Sequence, residues 1–327
     1  MVGLLLLPDC VHLPFLPVRE ALEGQQVDLN WENPAVREEI IRILNFWLQK
    51  GVDGFRFDVF NMFSKVYPLK DDESGDFQKG SRYFVDGPRM HEFLREINGK
   101  ALSLYDSFTV GESYQPSEEA AREYVKESNG ELDTIFNFAH MEADNIGGIK
   151  FFRKPFNMMQ FKDGLFGPQT ANYGEGWNTL VLENHDCPRC VCRFSLDYKN
   201  CRYEAATMLA VITYMGFGTP FIYMGQEVGL TNCDFRSIDE MKDPVSHFVY
   251  DLMRGYGIPK SLAFRFIKYG ARDHARTPMQ WNDTANGGFN EGHETWQCVN
   301  GEYKKINVEK DLASDHSIYR FYQKLIG

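Results

Sequence analysis

The chain has no excess of basic residues, no long apolar run, no internal repeat and no low-complexity linker. Lys and Arg number 35 against 46 Asp and Glu, a net charge of −11. A nucleic-acid or anionic-membrane partner is recognised through a basic surface, so that balance excludes both as expected partners. No stretch approaches the roughly 20 apolar residues of a membrane span. The opening Met1–Pro8 stretch is apolar but lacks a basic flank and a small-residue cleavage site, so neither a signal peptide nor an anchor is expected. Cysteine is sparse as well. Seven thiols in 327 residues, an odd count, fit reduced cysteines in a cytoplasmic protein better than a disulfide framework. The run Cys187-Pro-Arg-Cys190-Val-Cys192 has no second ligand pair at a zinc-site distance, so no metal site and no cofactor is expected.

What is present is an ordinary globular mixture, 43% hydrophobic and 25% charged, long enough for a full core. Aromatics, at 14%, suit large cores and sugar clefts alike. Asn33 and Pro34 read as the cap and first residue of a helix, with Val36, Ile40, Ile43, Leu44 and Trp47 at helical spacing and Gly51 after it. Strands are predicted over 54–59, 108–112, 134–138, 177–183 and 219–224. Helices are predicted from near Pro88 to Gly99, after Ser117 to Val125, over 203–215 and over 317–326. This alternation implies βα units around a parallel sheet. Five strands by count suit an open sheet better than a closed eight-stranded barrel.

Three carboxylates fall at predicted strand ends: Asp58, Glu112 and Asp186. Parallel strands share their C-terminal face, and function gathers there. Two converging carboxylates are the minimum for glycosidic bond cleavage, one as nucleophile or base and the other as proton donor. Arg56 precedes Asp58 by two residues and so shares its side of the strand. His185 stands beside Asp186 as a sugar-hydroxyl partner. Taken singly, each motif reads equally well as a buried ion pair, a polar strand end or a turn; the three in order point to chemistry.

These residues carry a family resemblance. Gly54-Phe55-Arg56-Phe57-Asp58-Val59, Val110-Gly111-Glu112 and Glu183-Asn184-His185-Asp186 resemble the nucleophile, acid/base and stabiliser motifs of the α-amylase superfamily of glycoside hydrolases, family 13. Gln26-Val27-Asp28-Leu29-Asn30 resembles the Gln-Pro-Asp-Leu-Asn segment of its oligo-1,6-glucosidase group, and Ala275–Trp281 resembles that group's later sugar-binding loop. The resemblance implies an α/β fold, a partial (β/α)₈ TIM barrel over residues 26–327, without about its first three strands and its C-terminal β-domain. Residues 1–25 match nothing in the family.

The resemblance further implies a retaining α-glucosidase acting on small α-glucoside oligosaccharides. Asp58 would be the nucleophile, Glu112 the acid/base and Asp186 the stabiliser. Arg56, His185 and either Arg272 or Arg276 would contact substrate. Val59, after the nucleophile, leans towards α-1,6 linkages. Trehalose-6-phosphate hydrolase and dextran glucosidase are close variants. The alternative is an inactive truncated member with at most weak sugar binding. Open edges near 54–59 and 219–224 would make such a partial barrel poorly stable alone. Cys187 stands where relatives usually carry Asn or Gln. No oligomeric state follows from the sequence.

Overall fold

A computed structural model describes residues 28–71, 80–292 and 294–327. Gln26 and Val27 of the Gln-Val-Asp-Leu-Asn segment, and the unmatched residues 1–25, lie outside the described residues. The chain divides into two compact units. The first holds the described residues to Phe136 together with Ala171–Asn178, and the second holds Asn137–Thr170 and Thr179–Gly327.

In the first unit, helix α1 spans Pro34–Gln49, and the Asn33 side chain accepts from the Ala35 amide as its cap. Its buried stripe is Val36, Arg37, Ile41, Leu44 and Leu48. Of the predicted stripe, Val36 and Leu44 are buried and Ile40 packs against the core, but Ile41 and Leu48 are the more buried neighbours and Trp47 is exposed. Arg37 is an inward residue the pattern did not include. Its Nε donates to Glu96 Oε2 at 2.6 Å and its Nη1 to the Trp31 carbonyl at 2.7 Å, so a charged residue occupies an inward position with its donors met. Strand β1 (Gly54–Phe57), helix α2 (Met90–Lys100), strand β2 (Phe108–Glu112), helix α3 (Glu118–Val125) and strand β3 (Thr134–Phe136) follow. Ser117 caps α3 by accepting from the Ala120 amide at 3.1 Å. The three strands form one parallel sheet in the order β1-β2-β3, with Arg56 opposite Val110 and Phe57 opposite Gly111. Phe60, Phe93, Leu94, Ile97 and Tyr124 pack beneath it.

The second unit opens with a short antiparallel pair, β4 (Asn145–Ile146) and β5 (Ile149–Arg153), then helix α4 (Met158–Ala171). Strand β6 (Thr179–Val181), helices α5 (Cys190–Phe194) and α6 (Arg202–Tyr214) and strand β7 (Thr219–Phe221) come next. Parallel β6 and β7 pair from Thr179 opposite Thr219 to Val181 opposite Phe221. Helices α7 (Pro244–Gly255), α8 (Lys260–Gly270), α9 (Val308–Leu312) and α10 (Ile318–Ile326) complete it. The sequence pattern hides α4, because Gly164, Gly167 and Pro168 read as loop. Gly164 is there for close approach: a Cβ would stand 2.5 Å from the His140 amide nitrogen.

The fold is α/β, a partial (β/α)₈ barrel with no closed barrel among the described residues, and β1 and β7 each have one strand partner. The predicted strands exist, and β2 spans its predicted 108–112; β1, β3, β6 and β7 stop two or three residues early, where the chain turns. No described helix is long and apolar enough to cross a membrane.

Two buried histidines make the second unit acid-sensitive. His140 Nε2 lies 2.7 Å from the Val181 carbonyl and His274 Nε2 lies 2.6 Å from that of Lys268. Burial is the main cause pushing both imidazoles down to about 4. Unfolded histidine protonates near 6.5, so between about pH 6.5 and 4 the unfolded chain binds more protons than the folded one. Stability is therefore full above pH 6.5 and falls as pH drops towards 4, by up to about 3 kcal/mol per histidine. Urea titrations of wild type and His140→Gln at pH 7 and 5 check this. The substitution should flatten the pH dependence; an equal drop in both proteins would exclude His140 as the cause.

Candidate active site

In the first unit the neighbouring parallel strands β1 and β2 set two carboxylates side by side. Glu112 ends β2, and Asp58 follows β1 one residue beyond Phe57, which is opposite Gly111. Arg56 bridges them. Its Nη1 donates to Asp58 Oδ1 at 2.6 Å and its Nη2 donates to Glu112 Oε2. A single guanidinium so holds both acids on one end of the sheet, a fork geometry suited to carboxylates. Asp58 is 70% exposed and Glu112 20%.

Val59 corrects the sequence reading. It lies outside the strand, with φ 44° and ψ 41° in the left-handed region. A β-branched residue held there costs of order 1–3 kcal/mol, a strain the surroundings must over-determine. The turn ends β1 at Phe57 and sends the next residues into a 3-10 turn, Phe60–Met62. Phe60 is fully buried edge-on to Tyr124. Gly111 exists to admit it: a Cβ at that position would stand 2.4 Å from the Phe60 ring.

Asn61 is a residue that sequence reading missed. Fully buried, it accepts from the Tyr114 amide at 2.8 Å and donates to the Tyr114 carbonyl at 2.9 Å, while also donating to Asp86 Oδ1 at 2.9 Å. It thereby ties the turn after Asp58 to the loop after Glu112. The available signal was an amide three residues beyond a strand-end acid. Asn61→Ala would leave the Tyr114 amide and Asp86 short of partners. A destabilisation of about 2–4 kcal/mol is expected in denaturant unfolding, summed over the lost bonds. A loss under 1 kcal/mol would mean that water replaces the amide.

In the second unit β6 leads into the turn bearing Glu183, Asn184, His185 and Asp186. The Asn184 side chain accepts from the Asp186 amide at 2.8 Å. Arg276 Nη2 donates to Asp186 Oδ1 at 2.7 Å and its Nε to the His185 carbonyl at 2.9 Å. Arg272 Nε stands 3.4 Å from the same carboxylate oxygen, and His185 Nε2 3.5 Å. Both arginines thus converge on Asp186, with Arg276 the closer. Burial opposes the Asp186 charge, but Arg272, His185, Lys150 and Arg276 outweigh it and hold the carboxyl below its ordinary value. Each arginine also comes within 3.9 Å of Asp243, the buried cap of α7. Lys150, on β5, has a buried Nζ with no hydrogen-bond partner among the described residues, and burial pushes it down to about 8.

Glu183 faces inward. It pairs with the fully buried Arg189 at 3.1 Å and accepts from the Cys190 amide at 2.7 Å, seating the turn that carries Asp186. Cys187, Cys190 and Cys192 hold no metal geometry: among the described residues no cluster of three metal-ligating side chains exists. Burial pushes all three thiols up, Cys192 to about 11.

Residues 20–327 match the family described as the α-amylase catalytic domain, and the chain belongs to the α-amylase family of glycoside hydrolases. It is 45% identical over 306 residues to an oligo-1,6-glucosidase of Parageobacillus thermoglucosidasius, covering 92% of this chain and 54% of that enzyme. It is 41% identical over 302 residues to a trehalose-6-phosphate hydrolase of Bacillus subtilis, with 92% and 53% covered. Among solved structures, the trehalose-6-phosphate hydrolase of Bacillus licheniformis superposes with a TM-score of 0.87 at 41% identity, over 93% of this chain and 54% of that one. An isomaltulose synthase of Erwinia rhapontici gives the same TM-score at 33% identity, with the same coverage. The chain spans about half the length of these relatives.

Proposed function

We propose that the chain carries the acid pair of a retaining α-glucosidase that releases glucose from short α-glucosides. The observation that supports this most is Arg56 bridging Asp58 and Glu112 at adjacent strand ends. A retaining mechanism needs two carboxyls close enough to serve one anomeric carbon, about 5–5.5 Å apart. Arg56 orients Asp58 for attack on that carbon, forming a covalent glucosyl ester while the leaving oxygen takes a proton from Glu112. Glu112 is the less exposed of the two and is the acid that supplies the proton the first step requires. In the second step Glu112, now the base, takes a proton from water, which attacks the ester and frees glucose.

Asp186 is assigned the stabilising role from its motif, with Arg276 and Arg272 as its ion partners and His185 as a hydroxyl contact. Val59, in its strained turn directly after the nucleophile, is proposed to favour α-1,6 links. The substrate is a small α-glucoside, and a cytoplasmic location suits the reduced cysteines.

The relatives' names divide between oligo-1,6-glucosidase and trehalose-6-phosphate hydrolase, so the substrate is tested directly. The purified chain is assayed against p-nitrophenyl α-glucoside, isomaltose and trehalose 6-phosphate. Hydrolysis of the first two with retention at the anomeric carbon supports the reading. Preference for trehalose 6-phosphate would keep the mechanism and replace the substrate. No hydrolysis of any would favour an inactive chain that at most binds sugar weakly.

A further inference from the structure

Outside the acid cluster, the second unit carries a paired thiol site that the hydrolytic chemistry does not use. Cys233 and Cys298 are 65 residues apart in sequence, and their sulfurs lie 3.5 Å apart. Cys233 is buried and Cys298 is half-buried, so Cys298 is the more accessible residue of the two. Five other thiols make up the seven, and no other described sulfur pair shares a hydrogen bond.

The pair sits on the support of the arginine loop. Next to Cys298, Gln297 Nε2 donates to Asp273 Oδ1 at 2.6 Å, between Arg272 and Arg276. Two residues further on, Asn300 Nδ2 donates to the Thr231 carbonyl at 2.7 Å. On the other side, Asn232, adjacent to Cys233, accepts from the Arg189 amide at 2.8 Å. Each cysteine is therefore held between neighbours tied by side-chain hydrogen bonds.

We infer that Cys233 and Cys298 form a reversible disulfide site, oxidised by low-molecular-weight disulfides of the glutathione class. Cys298, as thiolate, attacks one sulfur of the reagent disulfide, breaking its S–S bond and expelling one reagent thiolate. Cys233 gives up its proton to that thiolate and attacks the Cys298 sulfur, expelling the second reagent thiolate, which takes up the proton lost from Cys298. One S–S bond is broken and one formed; the protein loses two electrons and two protons, and the reagent is reduced to two thiols. The shared hydrogen bond favours this order, since it holds Cys298 below the ordinary thiol value and Cys233 above it. Access favours it equally, because the more accessible residue meets the reagent first.

The bridge would fasten the 231–235 segment to the 297–300 segment that props Asp273. The site is independent of the proposed glucosidase reading, and its test uses no substrate. The full chain is treated with oxidised glutathione, and its intact mass and alkylatable thiols are measured before and after dithiothreitol. The expected result is a loss of two hydrogen masses and of two alkylatable thiols, both restored by dithiothreitol, with Cys233 joined to Cys298 in a non-reducing digest. In Cys298→Ser the loss should vanish and Cys233 should stay unmodified. In Cys233→Ser a persistent glutathione adduct on Cys298 is expected. Adducts on wild-type Cys298 that never resolve to the bridge would overturn the proposal. A bridge among Cys187, Cys190 and Cys192 in its place would do so too, as would a lower thermal midpoint for the bridged chain.

Discussion

Asp58→Ala is expected to abolish hydrolysis of p-nitrophenyl α-glucoside, with a fall in kcat on the order of 10⁴-fold or more. The residue is asked to form a bond to carbon, and no neighbour can do so in its place. Glu112 lies across the Arg56 bridge and is proposed to carry the proton instead. Arg56 itself is a cation with no nucleophilic electron pair. The substitution should leave folding nearly unchanged, because Asp58 is 70% exposed and its ion pair with Arg56 is open to solvent. Unchanged thermal unfolding together with lost turnover assigns the effect to chemistry. Cys187→Ala is the comparison: its thiol carries no step of the mechanism, and turnover should persist. Equal loss from both would mean that the thiol run has a part in the reaction, and retained turnover in Asp58→Ala would remove it as the nucleophile.

Arg189→Met is expected to give the largest loss of stability. Arg189 is fully buried and its partner Glu183 is 2% exposed. Taking away the cation strands a carboxylate in the interior, at a cost of about 3–5 kcal/mol. The Met224 carbonyl also loses a donor that reaches it at 2.7 Å. For a unit of this size that corresponds to a fall in thermal midpoint of roughly 10 °C. The double substitution Glu183→Gln with Arg189→Met should recover part of the loss, because two neutral side chains remove the stranded charge. Calorimetry of the two single variants and the double closes the cycle. Additive losses would show that the pair is not coupled and that Arg189 matters only through its backbone contacts.

Much of the local structure was legible because its causes are local. Asn33 and Ser117 cap helices where sequence places them, since a short polar side chain before an apolar stripe has one good use. The order of strands and helices follows from the same periodicities. Reading failed where a distant partner decided the outcome. The inward stripe of α1 passes through Arg37 only because Glu96, on another helix, meets its charge. Helix α4 survives Pro168 and two glycines because Gly164 packs against the His140 backbone, a contact no window of sequence contains.

For the site, the sequence by itself picked out the candidate residues: acids at strand ends, an arginine two residues before one of them, and an Asn-His-Asp turn. Side-chain alternation along a strand is enough to place Arg56 beside Asp58. Only the tertiary structure decided that the same guanidinium also reaches Glu112, since that depends on β1 and β2 being neighbours in register. It also decided that both Arg272 and Arg276 turn to Asp186, and that Val59 leaves its strand for a left-handed turn. Each of these rests on a contact between segments far apart in the chain, or on strain that packing around Phe60 and Asn61 holds in place. Sequence periodicity reports which face of an element is apolar; it carries no information about which other element will meet that face.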